Sequence, residues 1–157
     1  MTEMNEPPTN RQWVLETERL CFRPFTMEDL PMLIEQRADP DMNKYLGGPD
    51  LQNPEFLSKR IKFYISSWET HGFGNCVMVW KGSGAMIGSA GIQPLDGTDD
   101  IEVGYNMIKE FWGRGIGTEA ARAWMDFGFR NKGLERIVAV AQLENEASIH
   151  IMKKLGM

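Results

Sequence analysis

The sequence predicts a mixed α/β domain, and three observations carry that reading. Apolar residues follow helical spacing between Phe56 and Trp68, and the period changes after Gly72 and Gly74 to short strand-like runs from Cys76 onward. Gly113, Gly115 and Gly117 stand two apart between an alternating run ending near Met107 and an amphipathic run reaching about Lys132. The following segment, Arg136 to Ala141, is apolar through Ile137, Val138, Ala139 and Val140, as a strand covered on both faces is. Strand, glycine turn, helix and returning strand form a crossover. Its two strands, around Glu102 and Val138, are therefore parallel, with the glycine turn at their C-terminal ends, where ligands bind in open α/β sheets.

The elements follow in order. Residues 1–12 are polar, contain Pro7-Pro8 and read as a flexible tail ahead of a single domain over 13–157. A strand is expected over roughly Arg19 to Pro24, where Leu20 and Phe22 alternate with Arg19, Cys21 and Arg23. Thr26 is an N-cap candidate with Glu28 and Asp29 in the first turn behind it, and Leu30, Leu33 and Ile34 form that helix's apolar stripe. Pro40, Gly47-Gly48, Pro49 and Pro54 interrupt the next stretch before the helix at Phe56 to Trp68. Strands at Cys76 to Trp80 and Ala85 to Gln93 form a hairpin about Lys81 to Gly84, and Asp100 to Met107 is a third strand after the turn at Asp96 to Asp99. Gly133 suits the C-cap of the helix after the glycine loop, and Asn145 opens a last helix through Leu155. The resulting order is β-α-α-β-β-β-α-β-α.

Composition excludes several classes of function. Seventeen basic against 22 acidic residues give a net charge of −5, which argues against a general nucleic-acid surface. No apolar run approaches membrane-spanning length, and the N-terminus lacks the apolar core of a signal peptide, so no membrane partner is expected. Cys21 and Cys76 fall far apart in strand-like runs and suit free thiols in the cytoplasm. His71 and His150 have no partners at ligand spacing, so no metal is expected.

Two places carry chemistry. The glycine-rich run ends where a helix begins, so free N–H groups and the positive end of a macrodipole face whatever lies over the loop. A pyrophosphate suits that place; the rival reading is a tight connector without a ligand. The run is neither a dinucleotide fingerprint, since Thr118 replaces the third glycine, nor a phosphate loop with a Lys-Ser/Thr pair. Arg114 offers a cation to the phosphates or stands free. On the strand before it, Glu102, Gly104 and Asn106 share one face, opposite Ile101, Val103, Tyr105 and Met107. Glu102 is thus a carboxylate in a central strand, and burial there raises its pKa. It reads either as a proton acceptor or as a salt-bridged structural residue.

The separated pieces together resemble the GNAT superfamily of acyl-CoA N-acyltransferases, in its RimJ/RimL-type branch. They are Thr17-Glu18-Arg19-Leu20 with Arg23-Pro24 and Glu28-Asp29-Leu30; Val103-Gly104-Tyr105; Trp112-Gly113-Arg114-Gly115-Ile116-Gly117-Thr118-Glu119-Ala120; and Asn145 with Ser148, leading to Lys154-Leu155-Gly156-Met157. The resemblance implies a GNAT-like central mixed sheet with helices on both faces. It implies acetyl-CoA as co-substrate, with Trp112, Gly113, Arg114, Gly115, Ile116, Gly117 and Thr118 forming the coenzyme loop. Met107 and Ile108 would offer backbone groups to the pantetheine arm in a splay between the parallel strands, and Asn145 would contact coenzyme A as well as cap its helix. Glu102 would be the base and Ser148 the acid for the leaving thiolate, although Ser148 equally suits the N3 position of a capped helix. Two features depart from the superfamily pattern: Trp112 replaces Gln or Arg at its first position, and Met152 stands where many relatives carry a tyrosine.

The superfamily also continues into one or two further strands past Gly156-Met157. Either the natural chain is longer, or a second copy supplies the missing neighbour of Arg136 to Ala141 in a homodimer. The expected function is direct acetyl transfer to a primary amine, a peptide N-terminus or a small molecule. The alternative is a non-catalytic coenzyme A-binding or protein-interaction module with the same fold. The aromatics Phe56, Phe63, Tyr64, Trp68 and Phe73 line either the acceptor side or the core.

Overall fold

The computed structural model describes residues 13–157, so the tail expected over 1–12 lies outside the described residues. Five strands form one sheet: β1 (Leu15–Glu16), β2 (Leu20–Pro24), β3 (Cys76–Trp80), β4 (Met86–Pro94) and β5 (Ile101–Met107), in that spatial order and antiparallel throughout. The helices are α1 (Leu30–Arg37), α2 (Pro40–Asn43), α3 (Pro54–His71), α4 (Ile116–Asn131) and α5 (Glu146–Lys154). The two-residue strand β1 and the four-residue helix α2 are additions to the expected order. Both are too short for a period to show in sequence.

Strand alternation divides the core between two faces. Leu20 and Phe22 of β2, Cys76 and Met78 of β3, and Ala90 and Ile92 of β4 pack with Ile116, Ala120 and Trp124 of α4. Their neighbours Cys21, Val77 and Val79 point the other way, onto Leu33 of α1 and Leu57, Ile61 and Tyr64 of α3. Trp124 anchors the first face with its ring edge-on to Phe22, centroids 5.5 Å apart. Helices therefore cover both faces of the sheet.

The caps follow the sequence closely. Thr26 accepts from the Glu28 N–H and Asp29 accepts back from the Thr26 N–H. That box caps a 3₁₀ turn (Met27–Asp29) which leads into α1, so the α-helix proper begins three residues later than Thr26 alone suggests. Gly133, in the left-handed region at φ 66°, follows the cap of α4.

One expected element is much reduced. Arg136 to Ala141 is not a full strand: it meets β5 in a single parallel bridge, Glu102 with Val138. The Val103 N–H donates to the Val138 carbonyl and the Val138 N–H to the Ile101 carbonyl, both at 2.9 Å. Ile137 is buried and Ala139 packs against the first core face, but Val140 is 64% exposed. The apolar run is covered on one side only. Beyond Val138 the chain peels away from β5, and Ala139, Val140 and Ala141 become the wall of a cavity.

Candidate active site

The divergence of β5 from the segment after Val138 opens a cavity of about 660 Å³, in the size range of small-ligand sites. At one end lie the glycine loop and the start of α5. At the other lie Arg37, Arg60 and Tyr64 from α1 and α3. The middle is floored by β5 from Glu102 to Met107.

At the loop end, Gly113 and Gly115 have φ of 74° and 77°, a conformation that side chains strongly disfavour. Gly115 is the N-cap of α4 and provides no side-chain cap. The first intrahelical bond runs from the Glu119 N–H to the Gly115 carbonyl at 3.1 Å. The N–H groups of Ile116, Gly117 and Thr118 thus have no intrahelical partner and stand at the positive end of a 16-residue helix. Gly117 serves a different purpose. A Cβ there would sit 2.9 Å from Ile151 Cδ1 and 3.5 Å from Tyr105 Cδ2, so its absence lets α4 close on α5 and β5.

Trp112 ties the loop to the end of β5 by donating its indole N–H to the Met107 carbonyl at 2.7 Å. The Ile108 N–H donates to the Ile87 carbonyl at 2.8 Å, so it is committed to the sheet and not free for a ligand. By strand alternation that bond leaves the odd-numbered residues facing the opposite edge: the Tyr105 and Met107 N–H groups point into the opening beyond Val138. Arg114 is not part of the cavity wall; its guanidinium lies 4.9 Å from the Phe111 ring centroid. Met107, Trp112, Gly113, Gly115, Ile116, Gly117, Thr118, Asn145 and Ser148 all line the cavity with Glu102.

On α5, the Asn145 side chain accepts from the Ser148 N–H at 3.1 Å, which fixes the first turn. The Ser148 hydroxyl then lies 3.0 Å from the Tyr105 hydroxyl. Burial raises the Tyr105 pKa, while the bond to Ser148 works against that rise. In the sequence Tyr105 appears on the face shared with Ile101, Val103 and Met107 and within Val103-Gly104-Tyr105, with no role of its own. No local signal reveals a partner 43 residues away.

On the α3 side of β5, Glu102 is half-buried and among the described residues has no ion-pair partner within 4.0 Å. Burial pushes its carboxyl pKa up; Arg60 pulls it down less strongly, and Asp96 adds to the rise. Among the described residues nothing lies within 4 Å of where a Gly104 Cβ would be, so the floor beside Glu102 is open. Asn106, further along the same face, and Gln93, directly across from Glu102 on β4, each keep a buried carboxamide oxygen without a partner among the described residues. Cys21 and Cys76 are buried free thiols whose pKa values are raised mainly by burial, and neither lines the cavity. Among the described residues there is no cluster of His, Cys, Asp and Glu able to hold a metal, and no helix long and apolar enough to cross a membrane.

Comparison with known proteins agrees with this geometry. A family description, acetyltransferase (GNAT) domain, matches residues 19–157. The uncharacterized N-acetyltransferase p20 of Bacillus licheniformis is 29% identical over 144 residues, covering 90% of this chain and 80% of that protein. A crystal structure of an acetyltransferase from Agrobacterium tumefaciens superposes with a TM-score of 0.81 at 28% identity, covering 90% of this chain and 81% of that one. RimL, a ribosomal L7/L12 alpha-N-protein acetyltransferase solved in complex with coenzyme A, shares the fold at a TM-score of 0.72 and 19% identity, over 88% of this chain and 79% of that one. A sheet that splays open beside a glycine-capped helix, on a chain matched from its second strand onward, leads to one conclusion: the protein belongs to the acetyltransferase (GNAT) domain family and is an acyltransferase.

Proposed function

We propose that the protein transfers an acetyl group from acetyl-CoA directly to a primary amine, with Glu102 as the proton acceptor. The observation that carries this reading is Glu102 itself. It is a half-buried carboxylate with a raised pKa and no ion-pair partner within 4.0 Å among the described residues, beside open floor at Gly104. A structural glutamate at this place would be expected to carry a salt bridge. A proton acceptor needs a free carboxylate and room for a nucleophile.

The loop end fits the co-substrate. The uncapped N–H groups of Ile116, Gly117 and Thr118 suit a pyrophosphate, and the left-handed Gly113 and Gly115 let the backbone come close to it. Asn145 shares that wall, and the Tyr105 and Met107 N–H groups are donors for an extended arm in the opening. When bound, acetyl-CoA supplies a thioester carbonyl as the electrophile. Glu102 first takes a proton from the acceptor ammonium and passes it to solvent, then takes the second as the neutral nitrogen bonds the carbonyl carbon and the carbon–sulfur bond breaks. Ser148 gives a proton to the departing sulfur, and the Tyr105 hydroxyl at 3.0 Å replaces it. A base is needed because the acceptor begins as an ammonium: at pH 7 an α-amine of pKa about 8 costs roughly 1.4 kcal/mol to deprotonate, and a lysine-like amine of about 10.4 nearer 5. We place the enzyme in the cytoplasm, and place any homodimer contact along the outer edge of Arg136 to Ala141, on the side away from β5.

The test is the pH dependence of kcat/KM for a primary amine with acetyl-CoA in wild type and Glu102→Gln. Loss of a positioned base is expected to cost about 10²- to 10⁴-fold at neutral pH, shrinking at high pH where the amine is already neutral. The acid limb of the wild-type profile should lie above the ordinary glutamate range. Ser148→Ala should be milder, since a thiolate leaves well unaided. An unchanged pH profile in Glu102→Gln removes Glu102 as the base.

A further inference from the structure

We propose that the α1–α3 end of the cavity holds a carboxylate of the acceptor, gripped by Arg37 and Arg60, so that the acceptor is an amine of the amino-acid class. The proposal rests on the acetyl-transfer reading and names its substrate.

Arg37 ends α1 and is only 5% exposed, yet among the described residues it has no carboxylate partner. One terminal nitrogen donates to Gln52 Oε1 at 3.1 Å, and its Nε, fully buried, has no hydrogen-bond partner among the described residues. Burying a guanidinium without an anion is costly, and that burial lowers the Arg37 pKa. The surroundings hold the side chain in place. Asn43 donates to the Arg37 carbonyl at 3.1 Å, and Gln52 donates to the Leu46 carbonyl at 2.6 Å. The Tyr64 hydroxyl lies beside the guanidinium and favours its charge, through its dipole and a hydrogen bond, but it is neutral and does not replace an anion.

Arg60, on α3, also lacks a carboxylate within 4.0 Å among the described residues and rests over Phe63 and Tyr64, 5.1 Å from each ring centroid. It is close enough to Arg37 to disfavour that charge, and close enough to Glu102 to favour a carboxylate there. Electrostatically it stands between the two. The cavity's only other acid among the described residues, Asp41, is taken by Lys109 at 2.9 Å. An amino acid matches this order of charges: its amine faces Glu102, and its carboxylate faces the two guanidiniums, whose planar donors suit that shape. A polyamine would put a second cation against Arg37 and Arg60.

The experiment measures kcat/KM with acetyl-CoA for a set of L-amino acids, the matching carboxamides and spermidine. Independently of turnover, it follows the melting temperature with N-acetyl amino acids and with their amides. The expected result is a preference for acid over amide of about tenfold or more, the scale of a charge-assisted pair, with a melting shift from the acid form alone. Arg37→Met and Arg60→Gln should each collapse that preference toward one, and Arg37→Lys should restore part of it. Equal rates for acid and amide in wild type, or spermidine as the best acceptor, would overturn the proposal. So would a loss in Arg37→Met that strikes both forms alike and preserves their ratio, because that marks a merely structural arginine. Failure of every amine to react defeats the transferase reading; a carboxylate-dependent melting shift that Arg37→Met abolishes would still establish the anion site.

Discussion

Glu119 shows how much of the site's frame hangs on single side chains. Its carboxylate accepts from the Thr17 hydroxyl at 2.6 Å, from the Arg19 N–H at 3.1 Å and from Arg19 Nε at 2.7 Å. These bonds tie the segment before β2 to the first turn of α4, beside Gly115. Burial alone would raise its pKa, but the bonds from Thr17 and Arg19 and the Arg19 charge outweigh that and lower it. A lowered folded-state value means the contribution is fully present above the unfolded glutamate value near ~4.3 and is lost as pH falls through the folded value. Glu119→Gln should therefore melt a few degrees lower at neutral pH, on the order of 1 kcal/mol once partial exposure of both partners is allowed for. Melting curves from pH 7 to pH 3 should show the gap to wild type closing; a gap of constant size would contradict the assignment. Residues of this kind are unequally legible in sequence. Glu102 is visible because strand alternation assigns its face. Arg37 is not, because an arginine ending a helix normally reads as solvated.

At the scale of elements, the segment after α4 is the informative case. Its apolar run predicts a two-sided strand, but only Val138 pairs with β5, through two backbone bonds. Sequence reports that residues are apolar, not whether the second apolar side meets a core or a ligand cavity. Few backbone bonds and an exposed Val140 should make the amides of residues 136–141 open readily. Hydrogen exchange is expected to be markedly faster there than in β4, which is paired on both sides, and binding of coenzyme A should slow it. Protection equal to that of β4 in the free protein would mean the edge is paired in solution.

At the scale of the molecule, a ligand that binds only the native state raises stability, by about 2.7 kcal/mol at a hundredfold excess over Kd. Acetyl-CoA and coenzyme A should raise the melting temperature, and NAD and ATP should do much less. Gly115→Val should abolish the shift and also lower the melting temperature of the free protein, because Gly115 sits at φ 77°, where a β-branched residue is strained. A full shift in that variant would remove the loop from the coenzyme site.

The sequence by itself determined the mixed α/β class, the cap at Asn145 and the glycine turn at the start of α4. Each depends on a local period or on a residue's own backbone preference, and those survive without knowledge of the rest of the chain. Only the tertiary structure decided that Gly117 is there for helix packing, that Ile108 is committed to the sheet and that Tyr105 meets Ser148. It also decided that Arg37 is buried without an anion. Those facts are distances between residues far apart in the chain, and they are set by how β5, α1, α3 and α5 pack around one opening.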